Sequence, residues 1–180
     1  MPDLPSTSRL DFWTKALHFP SMEVVHVEEE PKTLRFTLVP TWKVGVCPHC
    51  GKASDDVVQK RTRERIIDLP FGPKAVELEV RQLQFQCSFC ERAFTPVCPG
   101  IADGSHATER FLERAVALIR VSDIANAAAF FGVPETTLAN WYYDYIERKQ
   151  KEPGKPLKPI RRLGIDELSL KKSTDSSLPC

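Results

Sequence analysis

No stretch of about 18 apolar residues occurs in this 180-residue chain, so a membrane-spanning helix is not expected. The N-terminus, MPDLPSTSRLDFW, lacks a basic segment followed by an apolar one, so it does not read as a secretory signal. A strong overall charge is also missing. The net charge is +1, which removes the whole-chain basic signature of many nucleic-acid-binding proteins. Any such role must rest on local patches. Residues 151–180 carry seven Lys/Arg against four Asp/Glu, whereas residues 101–150 carry five against seven. No internal repeat is present. With 42% hydrophobic and 27% charged residues, the composition suits folded, globular material rather than a disordered tail.

Cysteine is scarce, and its placement is uneven. Four of the six cysteines fall in two short stretches, CPHC at Cys47–Cys50 and CSFC at Cys87–Cys90. In the cytoplasm, the compartment expected here, disulfides are rare, and two C-x2-C pairs favour zinc. Each pair can place two sulfurs about 2.3 Å from one ion, and backbone amides of the turn can hydrogen-bond the thiolates. Redox pairs of the thioredoxin kind fit less well, since two pairs match a closed site. His49 reads as a solvent-facing spacer, because four thiolates fill the site. Cys98 reads as a half-buried free thiol, with a fifth-ligand role as the alternative. Cys180 reads as incidental.

The pattern along the chain predicts an α+β protein. In SMEVVHVEEEPKTLRFTLVP apolar and polar residues alternate on either side of EEEPK, which predicts a β-hairpin. Val25 and Val27 are expected on one face, and Leu34, Phe36 and Leu38 on another. Between the cysteine pairs, DVVQKRTRERIIDLP and KAVELEVRQLQFQC read as strands joined by FGP, with Val76, Leu78 and Val80 at period two. Knuckle, strand, turn, strand, knuckle is the order of a zinc ribbon. From residue 108 the period becomes helical. TERFLERAVALIR has Thr108 as its N-cap, SDIANAAAFF stops at Gly132, and ETTLANWYYDYIERK starts near Pro134. KEPGKPLKPIRR reads as a linker and RLGIDELSL as the start of another strand. The expected divisions are 1–46 (hairpin segment), 47–100 (zinc ribbon), 101–150 (three helices) and 151–180 (linker and a further domain's beginning).

AAAFFGVPETTLANW has the residue types of a helix-turn-helix. Ala128 allows close helix approach, Gly132 takes the turn, and Val133, Leu138 and Trp141 fill the space between helices. Thr136, Thr137 and Asn140 would then face a major groove, where Asn140 suits an adenine edge and the threonines a phosphate or a thymine methyl. A plain three-helix bundle is the competing reading, and Glu135 is acidic where a groove-facing helix often carries Arg or Lys. KRTRER (Lys60 to Arg65), Lys158, Arg161 and Arg162 are candidate phosphate contacts.

Taken in order, CPHCGK, QKRTRERIIDLPFGPKAVELEVRQLQFQC, CSFCERAFTP, the helix-turn-helix pattern and LGIDELSLKK resemble bacterial insertion-sequence transposases of the ISL-three family, over roughly residues 21 to 172. The resemblance implies an N-terminal zinc-binding segment and a helix-turn-helix that together bind the terminal inverted repeats of the element as double-stranded DNA. A ribonuclease-H-like catalytic domain of the DDE type would follow, using three carboxylates and divalent metal. Carried over, Cys47, Cys50, Cys87 and Cys90 would bind structural Zn2+, and Asp166 would match the first catalytic aspartate. The chain ends 14 residues after Asp166, with no room for the other two carboxylates. Mg2+ is therefore expected only with a complete catalytic domain. The expectation is a truncated, DNA-binding portion inactive alone, associated with the nucleoid, without a membrane partner, and with a homodimer as a further expectation. Two alternatives are a subunit of a split or frameshifted active transposase and a zinc-containing DNA-binding repressor.

Overall fold

The computed structural model describes residues 6–151. Its elements, in order, are α1 (Ser6–Leu17), β1 (Met22–Glu29), β2 (Thr33–Pro40), β3 (Gly45–Val46), β4 (Ala53–Ser54), β5 (Val57–Phe71), β6 (Lys74–Gln86), β7 (Ala93–Phe94), α2 (Glu109–Ile119), α3 (Ile124–Phe131) and α4 (Glu135–Lys151). The α+β class expected from the periodicities is what the chain forms. The strand and linker expected after residue 151 lie outside the described residues.

The hairpin forms, but not as a segment apart. β1 pairs antiparallel with β2, and β2 then pairs in parallel with β6, Leu34 to Val76 through Leu38 to Val80. β5 pairs antiparallel with β6. The sheet order is β1-β2-β6-β5, with β7 added at the end of β6. One sheet therefore crosses the boundary expected at residues 46 and 47. A parallel pair needs a long crossover; here it is supplied by the first cysteine knuckle and β5.

Alternation predicts the core face of β2 and β6 well. Leu34, Phe36, Leu38, Val76, Leu78 and Val80 are all buried. β1 departs from the expected pattern. A register shift between Val24 and His26 makes Val25 a bulge, so Met22 and Val24 are buried while Val25 is exposed. An extra residue reverses the facing of the residues after it, which places Val27 rather than Val25 against the core. α1 covers this face. Leu10, Trp13 and Leu17 pack on it, with the Trp13 and Phe36 rings 5.0 Å apart. Thr14 Oγ1 accepts the Val24 amide at 2.9 Å. No helix was expected here, because the stretch owes its order to the sheet beneath it.

The three C-terminal helices share a second core of Phe111, Leu112, Ala115, Ala127, Val133 and Leu138, among others. Thr108 caps α2, its side chain accepting from the Phe111 amide. Asp123 caps α3 by accepting from the Asn126 amide. α3 ends where Gly132 takes a left-handed conformation, φ 66° and ψ 31°, which glycine adopts without the usual Cβ clash. The Val133 amide then bonds back to the Ala128 carbonyl at 3.0 Å. Trp141 is half-buried rather than central, its ring edge-on to Phe111 at 6.2 Å.

A short bridge joins helices to sheet. Ile67 pairs in parallel with Ala107, and Ile67 N bonds His106 O at 2.9 Å while Thr108 N bonds Ile67 O at 3.0 Å. Next to it, the buried Asp68 carboxylate accepts Thr108 Oγ1 at 2.7 Å and Arg110 Nε at 2.7 Å, with a further Arg110 contact through Nη2. Arg110 Nη1 also reaches the Leu17 carbonyl.

Candidate metal centre and nucleic-acid interface

Cys47, Cys50, Cys87 and Cys90 converge. All four sulfurs lie within 4.8 Å of one another. The Cys47–Cys90 and Cys50–Cys87 separations are 3.6 and 3.5 Å. A tetrahedron of thiolates about 2.3 Å from zinc has edges of about 3.8 Å, so these spacings fit one ion.

Each knuckle is built the same way. In the first, Cys47 N bonds Lys52 O at 2.8 Å and Gly51 N bonds Cys47 O at 2.9 Å. In the second, Cys87 N bonds Arg92 O at 3.0 Å and Glu91 N bonds Cys87 O at 2.8 Å. The residue after each second cysteine is left-handed: Gly51 at φ 72° and Glu91 at φ 55°. The turn directs amides at sulfur. Backbone N–H groups of Cys90 and Phe89 stabilise the Cys87 thiolate and bring its pKa down to about 6. The Lys52 and Arg92 amides bond the Cys50 and Cys90 sulfurs in turn, but burial and the neighbouring thiols hold both pKa values above the ordinary thiol value, that of Cys90 at about 12. This is the hydrogen-bonded surrounding that orients metal ligands.

The centre has a small core of its own. Phe85 and Phe94 stack at 5.8 Å, with Trp42 6.1 Å from Phe85, and both phenylalanines are buried with Cys47 and Cys87. A Cβ on Gly45 would come within 3.0 Å of Phe85, Phe94 and Pro96 side chains, so only glycine fits between the aromatic pair and the knuckle. Sequence reading missed this support. Its one visible signal is the pair of phenylalanines flanking the second knuckle, two residues before Cys87 and four after Cys90.

Neither other candidate joins the cluster. His49 is exposed, with Nδ1 3.4 Å from the Arg92 guanidinium. Cys98 belongs to the sheet core, where it is fully buried rather than half-buried. Gln82 Nε2 donates to its sulfur at 3.4 Å, and burial pushes its pKa up.

On α4, Leu138 and Tyr145 are buried, whereas Glu135, Thr136 and Asn140 are exposed and Thr137 is half-buried. Lys60, Arg61 and Arg65 of KRTRER are exposed. Arg63 is instead occupied, donating to Ser105 O at 2.8 Å. Lys158, Arg161, Arg162 and Asp166 lie outside the described residues.

Two comparisons bear on this arrangement. Residues 43–90, the segment holding both knuckles and the strands between them, match the family described as the zinc-finger of transposase IS204/IS1001/IS1096/IS1165. The chain is also 28% identical over 152 residues, 84% of its length, to a protein of Bordetella parapertussis described as the transposase for insertion sequence element IS1001. The chain is related to the ISL-three transposases. It spans 37% of that relative's length. No solved structure matches it. Four convergent thiolates inside a transposase zinc-ribbon segment make Cys47, Cys50, Cys87 and Cys90 a structural zinc site. Its metal links the end of β3 to the end of β6, so binding contributes folding energy at the junction of two sheets. No helix among the described residues is long and apolar enough to cross a membrane.

Proposed function

We propose that this chain is a DNA-recognising portion of an insertion-sequence transposase, and that it binds terminal inverted repeats as double-stranded DNA. The supporting observation is the start of α4. It follows the left-handed turn at Gly132, it is anchored by fully buried Leu138, and it leaves Thr136 and Asn140 exposed. A helix held from behind, with a free polar first turn, suits a major groove. Asn140 would pair an adenine edge, and Thr136 would meet a thymine methyl or a phosphate. Thr137, half-buried, would contact the backbone at most. Lys158, Arg161 and Arg162 would add phosphate contacts after α4. Recognition is the role assigned to these residues; Asp166 keeps only its correspondence to the family's first catalytic aspartate. A homodimer at the nucleoid would match paired repeats.

The test is a titration of the full, zinc-loaded chain with duplex carrying the element's own terminal repeat, against a scrambled duplex, at two salt concentrations. Tighter, salt-sensitive binding to the repeat is expected. Binding to neither duplex at low salt would leave the three helices as a bundle without a DNA role.

A further inference from the structure

The main sheet ends unevenly. β2 accompanies β6 only from Ala75 to Val80, whereas β5 stays on β6 as far as Phe85. Residues 59–62 and 81–84 therefore form a two-stranded ribbon that outruns β2. It leads straight into the zinc centre: Gln86 N bonds Asp56 O at 2.9 Å, and Cys87 comes next. Metal binding thus holds the far end of the ribbon.

The ribbon carries cations on both faces. Thr62 lies opposite Arg81 and Lys60 opposite Leu83, which puts Lys60, Thr62 and Arg81 on the face turned away from Val80 and the sheet core. Arg61 lies opposite Gln82 on the other face. A cleft of about 290 Å³ opens here, lined by Lys60, Arg61, Thr62, Arg81, Val39 and Leu83, among others. Lys60 makes no ion pair among the described residues. The Arg61 Nε bonds only the neutral Gln59 side chain, at 3.3 Å. Arg81 pairs with Glu79 at 3.1 Å, yet its side chain remains 57% exposed.

Charged residues on an edge strand can serve simply to prevent another strand from adding to it. Edge protection accounts for charge on either strand of the ribbon, but not for the gathering of Lys60, Arg61 and Arg81 around one cleft. Threonine and glutamine beside the cations add neutral donors, the mixture found at nucleic-acid backbones. A two-stranded ribbon also has a width that duplex grooves accept.

We propose that this ribbon is a second DNA surface, in which Lys60, Arg61 and Arg81 bind backbone phosphates without regard to base sequence. The proposal rests on the DNA reading above and adds a contact separate from α4. Duplex phosphate would replace Glu79 as the partner of Arg81 and give Lys60 its counter-charge.

The experiment compares the full, zinc-loaded chain with a variant combining Lys60→Gln, Arg61→Gln and Arg81→Gln. A control variant combines Arg9→Gln, Lys15→Gln and Lys32→Gln, exposed cations of α1 and the β1–β2 turn. Zinc content and melting curves of both must match the parent. The ribbon variant should bind repeat and scrambled duplex more weakly by the same factor, on the order of tenfold or more. Its slope of log affinity against log salt should fall by about 0.9 for each phosphate no longer neutralised. The control should keep the parent's slope. An unchanged slope in the ribbon variant, or an equal fall in the control, overturns the proposal. So does self-association of the ribbon variant with unaltered DNA affinity, which would show edge protection. If the parent itself binds neither duplex, the DNA reading fails first and the ribbon falls with it. A parent that binds beside an unaffected ribbon variant fails the ribbon alone.

Discussion

Thr108 and Asp68 are joined by a 2.7 Å hydrogen bond, and the same Thr108 oxygen accepts the Phe111 amide at 3.2 Å. One hydroxyl thus caps α2 and ties it to β5. Arg110 completes the link by neutralising a carboxylate that is 1% exposed. Removing the cation leaves a buried charge with only a hydroxyl for company. Arg110→Ala should therefore destabilise the chain by roughly 2–4 kcal/mol, discounted from a fully buried pair because Arg110 itself is partly exposed. Denaturant unfolding measures it. A loss below about 1 kcal/mol would show that the helices do not depend on this pair.

The zinc site makes a stoichiometric prediction. Purified chain should hold about one zinc, as four thiolates complete the coordination. Cys50→Ser or Cys87→Ser should lose the metal and the order of β3, β4 and β7, because metal binding and folding are coupled. Well-folded protein without zinc would contradict this.

Acid should release that metal. The Cys87 pKa is lowered in the folded chain to about 6, so its thiolate favours folding fully above the ordinary thiol value of 9.0. That contribution declines as pH falls and is lost below about 6. Since protons compete with zinc for all four thiolates, retention should weaken as pH falls and recover on return to neutrality. A chelator-competition titration across pH reads it. Retention that does not change with pH would contradict the thiolate assignment.

The two left-handed knuckle positions should respond in opposite directions. Gly51→Ala has open space for its methyl group but a φ of 72°, so it should cost about 1 kcal/mol. Glu91→Gly relieves the same conformation at φ 55° and should stabilise by a similar amount, about 1 kcal/mol. Melting curves of the zinc-loaded variants decide it. A stabilising Gly51→Ala would show that the backbone conformation is not the controlling factor.

The parts legible in the sequence are those set by short-range chemistry. A C-x2-C turn declares its ligands within four residues, period-two alternation marks Val76, Leu78 and Val80, and Thr108 marks a helix start because a cap is local. The parts that were not legible depend on distant partners. The parallel pairing of β2 with β6 spans a 42-residue offset, from Leu34 to Val76. Asp68 and Arg110 are likewise 42 residues apart. α1 is ordered by the sheet face it covers, and the bulge at Val25 follows from pairing rather than composition. Glu91 gave no signal of its left-handed backbone, because glycine marks that position only in the first knuckle.

Sequence discrimination by α4 tests the central claim most directly. The measurement is the ratio of affinities for the terminal-repeat duplex and a scrambled duplex, for the parent and for Asn140→Ala, both zinc-loaded. The parent should prefer the repeat. The variant should lose about 1–3 kcal/mol on the repeat and little on the scrambled duplex, as expected when a side chain reads a base edge. Equal loss on both duplexes, or no loss on either, would contradict base reading by α4.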